Sequence, residues 1–158
     1  IFDDAITLAT RMCEIVKNPF LITSLVNALY ESENRNASID KGMIHVLKPK
    51  DEKFLTQLMG FIESIWDKPD FNMSQFSTSL GYSKSQLYRR LIKLTGQSPN
   101  RFLREFRLHK ALQLLYKQQG NISEIAFQSG FNSASYFSTC FLNKYGILPS
   151  RYIQQQIN

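Results

Sequence analysis

The chain has 158 residues, 43% of them hydrophobic and 13% aromatic, and its formal net charge is +6. This composition suits one packed domain with an extension. It excludes a membrane-spanning chain, because no stretch approaches the roughly eighteen apolar residues of a span. Cys13 and Cys140 have no metal-binding spacing and predict no disulfide framework. We therefore expect a cytoplasmic domain without membrane contact.

The first fifty residues are predicted to be a short helical extension with a flexible linker. Residues 1–18 and 20–30 carry apolar side chains at helical spacing, with a break at Pro19. The polar stretch 31–41 is typical of a linker, and residues 44–47 favour an extended segment.

We place the domain boundary after residue 50, so that residues 1–50 form the extension and residues 51–158 form the main domain. Asp51 is predicted to cap a core helix whose apolar residues recur at helical spacing up to Trp66. This single tryptophan is interpreted as a packing anchor rather than a ligand platform.

The remainder of the main domain contains one unit twice, over residues 73–102 and 122–152. Gly81 in the first copy matches Gly130 in the second at an offset of 49, and the offset becomes 50 after this glycine. Two copies are too few for a solenoid array, so the pattern indicates a duplicated motif.

Each copy predicts a short helix capped by serine, at Ser74 or Ser123, followed by a turn with glycine and a second helix. Two short helices joined by a turn of this kind form the helix-turn-helix motif. The second helix of such a motif enters the major groove of DNA.

The second helix of the first copy is predicted over residues 83–94. Leu87, Leu91 and Leu94 recur at i, i+4 and i+7 and face inward. Arginine and glutamine can read base edges, and serine can hold phosphate. The remaining faces carry the polar and basic side chains that can reach DNA, namely Ser85, Gln86, Tyr88, Arg89 and Lys93.

A long helix is predicted between the two copies, capped by Ser98, opened by Pro99 and ended near Gly120. About twenty residues span roughly 30 Å, close to one turn of B-DNA at about 34 Å. This length predicts two recognition helices in successive major grooves.

The second helix of the second copy is predicted over residues 133–144, and a closing helix over residues 149–156. The recognition helix carries no basic residue until its last turn. Ser133 and Ser135 can still anchor phosphate through hydroxyl and backbone N–H groups. We therefore expect the first motif to provide most of the base readout.

The positive charge lies in the main domain. Residues 1–50 hold six basic and six acidic residues, whereas residues 51–158 hold thirteen and seven. Residues 84–117 alone contain nine basic residues and one acid, Glu105. This excess predicts a polyanionic partner.

Four runs of sequence resemble the DNA-binding domain of the AraC/XylS family of transcription regulators. They are RLxxALQLL over residues 107–115, IxEIAxxxGF over 122–131, SYFxxxF over 135–141 and GxxPSRY over 146–152. The resemblance covers roughly residues 51–155. It implies an all-α fold in which seven helices form two helix-turn-helix units joined by a long linker helix.

The resemblance also implies site residues. The base-reading positions of the family fall on Ser85, Tyr88 and Arg89 in the first motif, and on Ser135 and Thr139 in the second. Relatives commonly carry arginine at the Thr139 position and lysine at the Leu142 position, so the second motif departs from the family. Phosphate contacts are expected from the polar and basic residues nearby, namely Ser83, Lys84, Gln86, Arg90, Lys93, Arg104 and Ser133.

An enzyme is not expected, because His45 and His109 have no partner at catalytic or metal-ligand spacing and no nucleotide-binding motif is present. We predict no cofactor and no metal. The alternative is a helical protein-interaction module whose helix-turn-helix units do not read DNA. Binding that weakens steeply with salt would separate DNA recognition from an apolar interface.

The predicted partners are double-stranded DNA and, as a further candidate, RNA polymerase. The chain begins at Ile1 rather than at a methionine, so we expect it to be part of a longer protein. Most relatives carry a sensing or receiver domain on the N-terminal side, and we expect one here.

Overall fold

The structure is a computed structural model, and it describes residues 21–22, 45–71 and 73–157. The helix predicted over residues 1–18 lies outside these ranges, as does the linker predicted over 31–41. Seven helices occur in the described part of the chain: α1 Pro49–Ile65, α2 Met73–Ser79, α3 Lys84–Thr95, α4 Pro99–Tyr116, α5 Ile122–Gln128, α6 Ala134–Tyr145 and α7 Pro149–Ile157.

Two short strands precede the helices. β1, Leu21–Ile22, pairs in parallel with β2, His45–Val46. The helix predicted over residues 20–30 is therefore wrong at its start, because pairing with a distant segment overrides the local apolar spacing. The extended segment predicted at 44–47 is confirmed at His45 and Val46.

The first core is built by α1, α2, α3 and the first half of α4. α1 buries one face, in which Leu55, Leu58 and Ile62 are fully enclosed. Phe76 from α2 and Phe102 from α4 complete this core together with two leucines of α3. Trp66 packs against it as the sequence predicts.

The second core is built by the other half of α4 with α5 and α6. Leu108, Ala111 and Leu115 of α4 are buried against Phe137 and Phe141 of α6. The 18-residue helix α4 therefore belongs to both cores, and its length is about 27 Å. It ends at Tyr116, slightly before the predicted end near Gly120.

The recognition helices begin and end where the sequence predicts. Ser83 caps α3 and Ser133 caps α6, each accepting a hydrogen bond from a backbone N–H three residues further on. Gly96 and Gly146 end these helices in the left-handed conformation, with φ of 70° and 73°. Glycine is favoured at this position because it lacks a Cβ.

Three predicted caps are wrong. α1 begins at Pro49 with Lys48 as N-cap, because proline fits the first helical position, and Asp51 lies in the first turn. α5 is capped by Asn121, whose side chain forms a capping box with Glu124, so Ser123 is inside the helix. Ser74 likewise lies inside α2.

Candidate nucleic-acid interface

The exposed face of α3 carries the residues predicted for the first motif. Leu87 and Leu91 are fully buried, which turns Ser85, Tyr88 and Arg89 towards solvent. Tyr88 has 50% of its surface exposed. Arg89 makes no hydrogen bond or ion pair within the described part of the chain, so its guanidinium is available to a ligand.

The N-terminus of α3 is closed by its own side chains. Ser83 Oγ accepts a hydrogen bond from the Gln86 N–H at 3.2 Å, and Gln86 Oε1 accepts one from the Ser83 N–H at 2.9 Å. This capping box fixes both side chains. The hydroxyl hydrogen of Ser83 and the amide hydrogens of Gln86 are still free to donate to phosphate.

Arg90 is directed into the fold rather than towards a ligand. Its guanidinium donates to Tyr82 Oη at 2.7 Å and to the Lys50 carbonyl at 2.9 Å. It also forms an ion pair with Asp51 at 3.1 Å and lies 4.3 Å from the centre of the Phe54 ring. These contacts hold α3 on the start of α1, and they use three of the five N–H donors of the guanidinium.

A groove of about 440 Å³ separates the start of α1 from the side of α3. Lys48 and Lys50 line it on one side, and Arg89 and Lys93 line it on the other. Lys48 and Lys50 are both exposed, so they add positive charge beside the recognition helix. Neither lysine is among the predicted phosphate contacts, although their position on either side of Pro49 is visible in the sequence.

The exposed face of α6 is neutral. Phe137 and Phe141 are buried, and Ser135 and Thr139 face solvent as predicted. The Thr139 hydroxyl donates to the Ser135 carbonyl at 3.1 Å, so it is already engaged within the helix.

Lys144, the basic residue in the last turn of α6, turns inward. It forms an ion pair with Glu105 at 2.8 Å, and the two side chains are only 10% and 11% exposed. The single acid of the basic segment is thereby removed from the surface, and α6 is tied to α4.

Tyr136 is an exposed residue of α6 that is not among the predicted site residues. It occupies the position that matches Gln86 of the first motif and is 52% exposed. Arg104 Nη1 donates to Tyr136 Oη at 3.4 Å. This hydrogen bond raises the pKa of Arg104, and burial acts in the opposite direction.

Arg104 also lines a cleft of about 240 Å³ between the two helix-turn-helix units. Asn100 of α4 and Asn132, which precedes α6, line the same cleft with Tyr136. All four side chains bear hydrogen-bond donors, which suits a phosphate oxygen.

Six of the nine basic residues in residues 84–117 remain available to bind a polyanion. Arg90, Arg107 and Lys110 are used inside the fold, where Arg107 donates to two backbone carbonyls and Lys110 pairs with Glu63. The other six are Lys84, Arg89, Lys93, Arg101, Arg104 and Lys117.

In the ranges that the structure describes, no cluster of three or more His, Cys, Asp or Glu residues could hold a metal ion. No helix among the seven is both long and apolar enough to cross a membrane. His109 lies 3.0 Å from Gln113 Nε2 on α4.

Two helix-turn-helix units on one shared helix, with a basic and polar face on α3, define a double helix-turn-helix DNA-binding domain. Comparison with known proteins agrees. The family model described as "Helix-turn-helix domain" matches residues 76–155. The chain belongs to this family, and its DNA-binding domain is of the AraC type.

Solved structures and a curated relative are similar to this chain. The C-terminal domain of the two-component response regulator yesN from Fusobacterium nucleatum is 31% identical with a TM-score of 0.58, covering 61% of this chain and 94% of that one. An AraC-type regulator from Chromobacterium violaceum is 27% identical with a TM-score of 0.63, covering 69% and 96%. Histidine kinase P4 from Formosa agariphila is 38% identical over 102 residues, which are 65% of this chain.

The curated relatives are much longer than the matched region. The chain spans 7% of the Formosa protein. It spans 43% of the transcriptional regulator MtrA from Neisseria gonorrhoeae and 34% of the transcriptional activator RhaS from Mannheimia succiniciproducens.

Proposed function

We propose that the domain beginning near residue 51 binds duplex DNA sequence-selectively, with α3 and α6 in successive major-groove segments. The observation that carries this proposal is that the exposed recognition faces of α3 and α6 are joined by one helix, α4. The length of α4, about 27 Å, approaches the rise of one DNA turn of about 34 Å. The first unit supplies the charged base reader, Arg89. The second unit supplies short hydroxyl groups and a tyrosine.

Base readout is assigned to Ser85, Tyr88 and Arg89 on α3 and to Ser135 and Thr139 on α6. Arg89 is the strongest reader among them, because its side chain is exposed and its fork matches guanine O6 and N7. The proposed phosphate contacts are Ser83, Lys84, Gln86, Lys93, Arg104 and Ser133, and we add Lys48 and Lys50 because they line the groove beside α3. Arg90 is left out, since three of its N–H donors bond within the fold and its charge is paired with Asp51.

The domain acts as the DNA-binding output of a longer regulator in the cytoplasm, with residues 1–50 leading from an upstream domain. Support comes from the yesN domain, which is the C-terminal part of a two-component response regulator. A receiver or sensing domain is the proposed upstream neighbour, and RNA polymerase is the proposed protein partner. No catalysis is assigned to this domain.

The test is selection of bound sequences from a random duplex pool, followed by footprinting of the chain on the selected site. We expect protection of two segments about one helical turn apart. Protection of a single segment would contradict the two-groove geometry. Failure to enrich any sequence would instead favour the protein-interaction module.

A further inference from the structure

Three elements meet at one point between the two helix-turn-helix units: the end of α1, the middle of α4 and the glycine turn before α6. Arg107 of α4 donates through Nε to the Trp66 carbonyl at 2.8 Å and through Nη2 to the Lys68 carbonyl at 2.6 Å. Trp66 is the C-cap of α1, and the last turn of α1 has no basic residue of its own. Arg107 therefore supplies the donors and the positive charge that this helix end lacks.

The glycine turn of the second unit closes against this contact. Gly130 is buried with φ of +76°, and a Cβ there would lie 2.3 Å from the Trp66 carbonyl oxygen and 2.8 Å from Arg107 Nε. Neither group can retreat easily, because one is backbone and the other is held by two hydrogen bonds. The close approach of the two units at this point thus requires glycine.

The first unit provides an internal comparison. Gly81 occupies the matching position, with φ of +71°, and a Cβ there would meet nothing within 4 Å. The two glycines share one backbone conformation, so a side chain strains both turns in the same way. Only Gly130 has a second reason to be glycine, which is the contact between units.

Arg107 is a half-buried cation whose position is fixed by its acceptors. Burial lowers the pKa of Arg107, and the charge of Asp67 acts in the opposite direction. A guanidinium removed from water needs its hydrogen bonds satisfied, so the two carbonyls hold α4 against the end of α1.

We infer that Arg107 and Gly130 form a lock that fixes the position of α6 relative to α3 and thereby sets the half-site spacing that the domain accepts. This inference rests on the proposed two-groove binding. When two recognition helices are joined rigidly, the second engages at a high effective concentration, but only at a matching spacing. Loosening the joint lowers affinity for the complete site and flattens the dependence on spacing. The base preference of each helix is unaffected.

The experiment compares the chain with Gly130→Ala, Gly81→Ala and Arg107→Lys. Arg107→Lys keeps the charge but loses the fork that reaches both carbonyls. Affinity is measured on the selected duplex, and on duplexes with one or two base pairs inserted between the half-sites. Circular dichroism and thermal unfolding confirm that each variant is folded. A duplex with a single half-site reports the recognition helix alone.

We expect the unchanged chain to lose roughly tenfold or more in affinity when one base pair is inserted. Gly130→Ala and Arg107→Lys should bind the complete site about tenfold more weakly and differ less than about threefold among spacings. Their affinity for the single half-site should be unchanged. Gly81→Ala should keep the full dependence on spacing.

Three results would overturn the lock. One is a folded Arg107→Lys variant with unaltered affinity and spacing dependence. Another is the same flattened profile in Gly81→Ala as in Gly130→Ala, which would assign the effect to turn strain. The third is an equal loss on the single half-site. If Gly130→Ala does not fold, Arg107→Lys decides. If the unchanged chain selects no duplex, the proposed function fails rather than the lock.

Discussion

Arg89 and Lys93 lie one helical turn apart on α3, and both are exposed, yet we expect different roles for them. Arg89→Ala should cost about 1 to 3 kcal/mol of binding free energy and relax the preference at one base pair, because a bidentate contact to a base is lost. Lys93→Ala should weaken all sequences about equally, since a phosphate contact carries no base identity. Binding to a set of single-base variants of the selected site measures both effects. Indistinguishable specificity profiles would refute this division of roles.

Arg90 follows Arg89 directly, but its contacts give it a structural role. Arg90→Ala removes the ion pair with Asp51, the hydrogen bond to Tyr82 and the packing on Phe54. The side chain is 25% exposed, so we expect a loss of about 1 to 3 kcal/mol in the free energy of unfolding. Urea denaturation measures it, with Lys93→Ala as the exposed control on the same helix. Unchanged stability with strongly reduced DNA affinity would restore Arg90 to the phosphate contacts.

At the scale of elements, local signals in the sequence predicted α3 and α6 well. Serine before each helix, glycine after it and leucine or phenylalanine at i and i+4 are rules of local chemistry, and they gave both recognition helices. The partners of the basic residues could not be predicted in this way. Arg107 meets Trp66 across 41 positions and Lys144 meets Glu105 across 39, and such contacts depend on how the helices pack.

The same limit explains two misplaced caps. Asp51 and Ser123 are good capping residues by type, but Pro49 and Asn121 lie closer to the start of their helices and determine where these begin. The pairing of β1 with β2 likewise depends on a segment more than twenty positions away, so the apolar spacing over residues 20–30 could not reveal it.

Because the exposed face of α6 is neutral, we expect α3 to contribute more to base recognition than α6. Thr139 occupies the position that matches Arg89, and its hydroxyl is bonded to the Ser135 carbonyl. Thr139→Arg should raise affinity and add a preference about one helical turn from the base read by Arg89, because an arginine fork can reach a base edge. Thr139→Ala should alter selectivity little.

A base-substitution scan across the site, compared between the halves beneath α3 and α6, tests this asymmetry. For the unchanged chain, base substitutions in the half of the site beneath α3 should reduce affinity more than those beneath α6. Equal or greater information beneath α6 would mean that Tyr136 and the hydroxyls read bases and that the assignment of the dominant reader is wrong.

At the scale of the whole molecule, charge determines how strongly any duplex is bound. The chain has a net charge of +6, and Glu105, the single acid within residues 84–117, is buried in an ion pair with Lys144. The surface around α3 and α4 therefore presents cations with little local opposition. Such a surface attracts DNA phosphates and releases counterions when it binds.

Counterion release makes the number of phosphate contacts measurable. If Lys48, Lys50, Lys84, Lys93 and Arg104 each neutralise a phosphate, the logarithm of the binding constant should fall with the logarithm of salt concentration with a slope of about −4 to −5. Lys93→Ala should reduce the magnitude of this slope by about 1. Arg90→Ala should leave it unchanged, because Arg90 is already paired with Asp51. A slope near zero would show that binding is not driven by phosphates, and it would favour an apolar protein interface over DNA.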